Sequence, residues 1–249
     1  MAKPTFIIVH GAWHQPIHFQ LVTKSLESYG YKVLAPALPS VDKAPNETTP
    51  DSQADIAAVR TTILDELDSA GNDVILVPHS YGGIPASGAV EGLNPESRAA
   101  EGKTTSVIGI AAITSYILPK GMNIPMAEFK PEPSMPALWG PPPTSMFWHD
   151  VPADSDLHAW AAKELNIMSM RALYDKCQFT AYRDMPVHYL LASEDRAVTL
   201  PTQESIVERI RKEGGEVRTE MLEGSSHSPF LSRVEETVGF LRRSAGEQV

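Results

Sequence analysis

Three residues of this chain have the types and surroundings to carry acyl-transfer chemistry: Ser80, Asp195 and His227. A serine hydroxyl is a weak nucleophile until a base takes its proton, and an imidazole does so best when a carboxylate fixes its tautomer. Ser80 lies in residues 74–83, Val-Ile-Leu-Val-Pro-His-Ser-Tyr-Gly-Gly. The apolar run reads as a buried strand, and small residues with an apolar helical stretch follow the serine at once. This context holds a serine on a sharp strand-to-helix turn, usually in the pattern Gly-X-Ser-X-Gly. Gly82 supplies the second glycine, while Pro78 replaces the first. The plainer role for such a serine is to cap a buried helix.

Two downstream segments favour the nucleophile. Residues 186–191, Pro-Val-His-Tyr-Leu-Leu, read as a strand that runs into Ala-Ser-Glu-Asp at 192–195. An acid just past a strand end lies on the same sheet edge as Ser80; Asp195 takes this place, with Glu194 as competitor. Residues 224–230, Gly-Ser-Ser-His-Ser-Pro-Phe, put His227 in a loop of small residues before a last amphipathic segment. Serine, acid, histidine is the chain order of α/β-hydrolases, and differs from the orders of chymotrypsin and subtilisin.

A developing oxyanion needs two aimed donors. In this fold one amide comes from the loop after the first strand and one from the residue after the nucleophile. Residues 9–14 read Val-His-Gly-Ala-Trp-His, so the donors are expected to be the N–H groups of Ala12 and Tyr81. Gly11 allows close backbone approach. His10 and His14 are expected to brace this loop, since His227 already fills the place of the base. His79 beside the nucleophile suits pocket lining and packing equally. His18, His149, His158 and His188 carry no separable signal.

The elements that must position these groups alternate between strand and helix, which implies a parallel sheet. Strands are expected at 6–9, 32–35, 74–78, 106–113, 186–191 and 216–222. Helices are expected at 17–29, closed by Gly30, from Asp51 to about Ala70, after Ser80 until a break near Gly92, at 201–213 and at 233–243. The expected fold is an α/β-hydrolase fold: a mostly parallel central sheet flanked by helices, with an inserted cap. Residues 114–157 break the alternation, being rich in Pro, Met and aromatic residues and too long for an ordinary connection. So many large apolar residues disfavour disorder. The reading is a core of residues 1–113 and 176–249 with a cap at 114–175, in which 160–174 form one or two helices. Gly11, Trp13, His79, Trp139, Phe147 and Trp148 are the expected pocket residues, suiting an apolar or aromatic small-molecule substrate.

A chain of 249 residues can bury one sizeable core. The net charge of −10 argues against a nucleic-acid or anionic-membrane partner. Cys177 is the only cysteine, so no intrachain disulfide forms. Residues 1–4 lead straight into a core strand, so no signal peptide and a cytoplasmic location are expected. No apolar run reaches bilayer-spanning length. No metal-ligand spacing appears, and no cofactor is expected. The residues do not set the oligomeric state, although a homodimer is compatible with them.

The chain resembles the plant methylesterase and hydroxynitrile lyase group of α/β-hydrolases and their microbial relatives. The resemblance rests on residues 6–14, 77–83, 193–198 and 225–230, and the cap matches least. It implies Ser80 as nucleophile, His227 as base, Asp195 as orienting acid, and the Ala12 and Tyr81 amides as oxyanion hole. Lyases of this group carry threonine where Gly11 stands and lysine where Ser228 stands, so the resemblance favours ester or lactone hydrolysis through an acyl-enzyme. Carbon–carbon or cyanohydrin lyase chemistry in the same pocket is one alternative. A ligand-binding receptor with little turnover is the other.

Overall fold

The computed structural model describes residues 3–42, 51–124 and 138–249, and only the backbone of Asp42, Leu138 and Trp139. Residues 125–137 of the Pro- and Met-rich run, and the side chain of the expected pocket residue Trp139, lie outside this description.

The strands are β1 (Thr5–Val9), β2 (Val33–Leu34), β3 (Val41–Asp42), β4 (Val74–Pro78), β5 (Val107–Ile113), β6 (Leu138–Trp139), β7 (Ile167–Ser169), β8 (Val187–Ala192) and β9 (Val217–Leu222). The helices are α1 (Gln20–Ser28), α2 (Gln53–Leu64), α3 (Gly83–Ala89), α4 (Pro95–Ala100), α5 (Asp156–Lys163), α6 (Met170–Leu173), α7 (Leu200–Lys212), α8 (Pro229–Ser232) and α9 (Val234–Ser244). The main sheet runs β2-β1-β4-β5-β8-β9, and each pairing in it is parallel.

Parallel strands joined by helical crossovers are covered on both faces, so their sequences are apolar throughout. In β1 every residue is buried, and its side chains divide between two cores by strand alternation. Phe6 and Ile8 face one core with Val22 and Leu26 of α1 and Val238 and Leu241 of α9. Ile7 and Val9 face the other with Val59 and Ile63 of α2, Ile84 of α3 and Ile206 and Ile210 of α7. The sheet's strand ends near residues 9, 78, 113 and 192 therefore share one edge.

Local signals explain most helix boundaries. Asp51 Oδ1 accepts the Gln53 N–H at 2.9 Å at the start of α2, and a π-helical turn, Asp65–Ala70, extends that helix to Gly71. Pro201 lies in the first turn of α7, while Arg209, Arg211 and Lys212 meet the negative end of its dipole.

The segment 160–174 differs from its helical reading. Strand β7 interrupts it between α5 and α6. A second, antiparallel sheet runs β3-β7-β6, with Met168 opposite both Val41 and Trp139. Pairing between residues as far apart as Val41 and Met168, or Trp139 and Met168, leaves no local periodicity to read. No helix among the described residues is long and apolar enough to cross a membrane.

Candidate active site

Ser80 is placed by backbone constraints from three neighbouring strands. Pro78 ends β4 opposite Val9. Proline has no N–H to donate, and the ladder continues instead through the His79 N–H, which donates to Val9 O at 3.0 Å. Ser80 follows with φ of 52°, a left-handed conformation uncommon for any residue with a side chain. Its carbonyl accepts the Tyr116 N–H at 3.1 Å and the Ser115 hydroxyl at 3.0 Å, which hold the turn in place. Strain of this kind persists only where the surroundings over-determine it. Gly82 is required for a separate reason: a Cβ there would lie 2.1 Å from Val9 O. Ser80 itself is half-buried.

The acid and base meet as one buried pair. His227 Nδ1 lies 2.7 Å from Asp195 Oδ2, so its proton is donated to the carboxylate and Nε2 is the nitrogen left to take another. The opposite oxygen, Oδ1, accepts the N–H groups of Ala197 and Val198 at 2.7 and 2.8 Å. Gln203 Nε2, from α7, donates to Oδ2 at 3.3 Å. The carboxylate on the imidazole belongs to Asp195, not to Glu194. The main-chain carbonyl of His227 accepts from His79 Nε2 at 3.1 Å and from Thr114 Oγ1 at 3.2 Å.

The loop after β1 lies against the serine. A Cβ on Gly11 would stand 2.8 Å from both Ser80 Cβ and His79 Nδ1. Ala12 follows this glycine in the chain and Tyr81 follows Ser80. Trp13 adopts φ of 61°, and its carbonyl accepts the Asn166 N–H at 2.8 Å. The Tyr81 hydroxyl donates to Asp55 Oδ2 at 2.7 Å, and the same carboxyl accepts the Ser40 N–H and hydroxyl. Burial and then the Asp55 charge hold the Tyr81 hydroxyl well above its usual pKa, and burial raises that of Asp55.

His10 and His14 hold this loop's carbonyls. His10 Nδ1 donates to Gly11 O at 3.0 Å while its Nε2 accepts the Leu38 N–H. His14 Nδ1 donates to Ala12 O at 2.9 Å. Burial pushes His10 down to about 4 and holds His14 and His79 well below the usual imidazole range. The carbonyl on Nδ1 of His10 and His14, and on Nε2 of His79, makes that nitrogen the donor in each ring.

Of the expected pocket residues, Phe147 packs beside the base, its buried ring 6.0 Å from His227 and 5.9 Å from Trp13. Trp13 is half-buried. Two others differ in role from an open pocket wall. His79 is fully buried and packs against His227, with ring centroids 4.5 Å apart. Trp148 is also fully buried, against His14 and His18. Among the described residues no cluster of three or more His, Cys, Asp or Glu side chains could hold a metal ion. Thr114, Gln203 and Asp55 were not legible beforehand. They act on main-chain atoms or through distant partners, which no local motif marks.

A parallel sheet with a serine elbow after β4, an acid after β8 and a histidine after β9 defines the α/β-hydrolase class. The chain belongs to the alpha/beta hydrolase family, whose sequence profile it matches over residues 6–240. It is 27% identical to the alpha/beta hydrolase nvfD of Aspergillus novofumigatus, across 100% of this chain and 99% of that one. It is 33% identical over 98 residues to a carbendazim-hydrolysing esterase of a Nocardioides strain, covering 37% of this chain and 38% of the other. Among solved structures, an Arabidopsis methylesterase superposes with a TM-score of 0.70 at 22% identity, covering 98% of this chain and 99% of that one. Tomato methylketone synthase I, bound to 2-tridecanone, superposes with a TM-score of 0.72 at 16% identity, covering 99% of each. These two structural likenesses speak for the fold.

Proposed function

We propose that this chain is a serine hydrolase that cleaves a carboxylic ester or lactone of a small apolar or aromatic molecule. The observation that carries the reading is the His227 Nδ1 to Asp195 Oδ2 bond of 2.7 Å on the sheet edge where Ser80 stands at φ of 52°. Ser80 Oγ attacks the substrate carbonyl while His227 Nε2 takes the hydroxyl proton. Asp195 holds the imidazole tautomer and stabilises the imidazolium. The Ala12 and Tyr81 N–H groups receive the charge that develops on the carbonyl oxygen. His227 then gives its proton to the departing alcohol, or to the hydroxyl end of an opened lactone. Water activated by His227 cleaves the acyl-serine and releases the acid.

Phe147 beside the base, with Trp13 packed against it, supports an apolar or aromatic acyl or alcohol group. The esterase name of the Nocardioides relative supports ester cleavage over other chemistries of the fold. Nitrophenyl acetate, butyrate and octanoate, compared between wild type and Ser80→Ala, test the reading. Loss of roughly 10⁴ to 10⁶ in kcat is expected, together with a fluorophosphonate adduct on Ser80 in the wild type. Hydrolysis that survives in Ser80→Ala overturns it.

A further inference from the structure

Two consecutive residues, His149 and Asp150, reach both loops that present the acid and the base. Asp150 Oδ2 accepts the Ser226 N–H at 3.0 Å and the Ser232 hydroxyl at 2.7 Å. Ser226 precedes His227, and Ser232 ends α8, so one carboxylate oxygen spans the loop from the base to the next helix. His149 Nε2 lies 2.9 Å from the main-chain oxygen of Glu194, next to Asp195, and donates to it. The two residues follow Trp148, which is fully buried against His14 and His18 and fixes where the segment enters. No other described side chain accepts the Ser226 N–H.

We propose that Asp150 is a positioning residue for the base: it sets the height of the 224–228 loop and so the direction of His227 Nε2 toward Ser80. The physical case is one of leverage. His79 and Thr114 hold the carbonyl of His227 from the core side, and Asp150 holds the amide just before it from the other side. Removing one bracket leaves the imidazole tied to Asp195 but free to pivot. Charge-assisted bonds from a carboxylate to backbone N–H groups are among the stronger ones available for such a role.

The proposal rests on the serine-hydrolase reading, and the test separates the two. The Nδ1–H proton shared by His227 and Asp195 resonates far downfield of ordinary amides and reports imidazole placement whether or not any ester turns over. In wild type the signal is expected to be sharp. In Asp150→Ala it should broaden or vanish, and the rate of fluorophosphonate labelling at Ser80 and kcat should each fall about 10- to 100-fold, as displacement by an ångström costs. KM should change far less. Asp150→Asn keeps an acceptor for the Ser226 N–H and should restore most of the signal and rate. Ser232→Ala, a milder change, should broaden the signal without unfolding the protein. An unchanged signal in Asp150→Ala and Ser232→Ala, or an Asp150→Ala variant that loses only thermal stability, overturns the proposal. Wild-type Ser80 that takes no fluorophosphonate while the signal shifts in Asp150→Ala would sink the hydrolase reading and leave the positioning role standing.

Discussion

The serine elbow and residues 144–166 are held by different kinds of contact. At the elbow the constraints are main-chain to main-chain: Val9 O against Gly82, His79 N–H on Val9 O, and Tyr116 N–H on Ser80 O. The stretch from Thr144 to Asn166 has one such bond, from the Asn166 N–H to Trp13 O, and is otherwise joined to the core largely by side chains that reach main-chain groups. Gln15 donates to Glu164 O at 2.5 Å, His18 to Ala161 O at 3.1 Å and His149 to Glu194 O at 2.9 Å. Backbone packing admits few residue types, because a single Cβ closes the space. A side chain reaching a carbonyl can be replaced by another donor of similar length. The elbow thus admits few residue types, whereas the side-chain donors that hold residues 144–166 can be exchanged.

The comparison can be broken at its rigid side first. Asp195→Asn should lower kcat about 10⁴-fold on any ester the wild type hydrolyses, because the wrong imidazole tautomer would face Ser80. Steady-state kinetics against wild type measure it, and a loss under tenfold would mean the Asp195 contact is structural only. Gly82→Ala comes next. Its Cβ cannot be placed 2.1 Å from Val9 O, so β1 and α3 must move apart, at a cost of about 3 kcal/mol. Urea unfolding followed by circular dichroism reads that cost directly. An alanine tolerated without loss would show the elbow to be as adaptable as residues 144–166.

The third test concerns acid. His10 is buried with its pKa lowered from 6.5 to about 4. In the unfolded chain the imidazole binds a proton below about pH 6.5, while in the folded chain it does not until about pH 4. Its contribution to stability is therefore present above pH 6.5 and is lost as pH falls through this window, up to about 3 kcal/mol. His14 and His79 are shifted the same way and add to the loss. Unfolding curves of wild type and His10→Asn at pH 7 and pH 5 check this. The variant should lose less on acidification, and parallel losses would contradict the buried neutral imidazole.

The same contrast explains what could be read in advance. The alternating strands and helices, the parallel sheet and the serine–acid–histidine order were legible, since each leaves a local mark: an apolar run, a glycine two residues after Ser80, a proline in the first turn of α7. The small sheet β3-β7-β6 was not, because Met168 acquires its partners from residues far along the chain. The buried position of His79 was left open for a related reason. A histidine beside the nucleophile has the same local surroundings whether its ring turns to the pocket or to the carbonyl of His227, and only the arrival of the 224–228 loop decides. Trp148 likewise reads as a pocket residue until His14 and His18 are seen to enclose it.

The smallest expected effect is also the sharpest. Glu194 and Asp195 are adjacent carboxylates past the same strand, and their order in the chain cannot tell which serves His227. The geometry separates them: Asp195 accepts hydrogen bonds from the imidazole Nδ1–H and two amides, whereas Glu194 is held by its backbone, its N–H on Ser225 O at 3.0 Å and its carbonyl on His149. Glu194→Gln preserves every one of those backbone contacts and should leave kcat within about twofold, the range of a substitution away from critical contacts. Measured beside Asp195→Asn on one ester, it turns the position of a single carboxyl into a difference of several orders of magnitude. A Glu194→Gln loss comparable with that of Asp195→Asn would move the acid by one residue and undo the assignment of the pair.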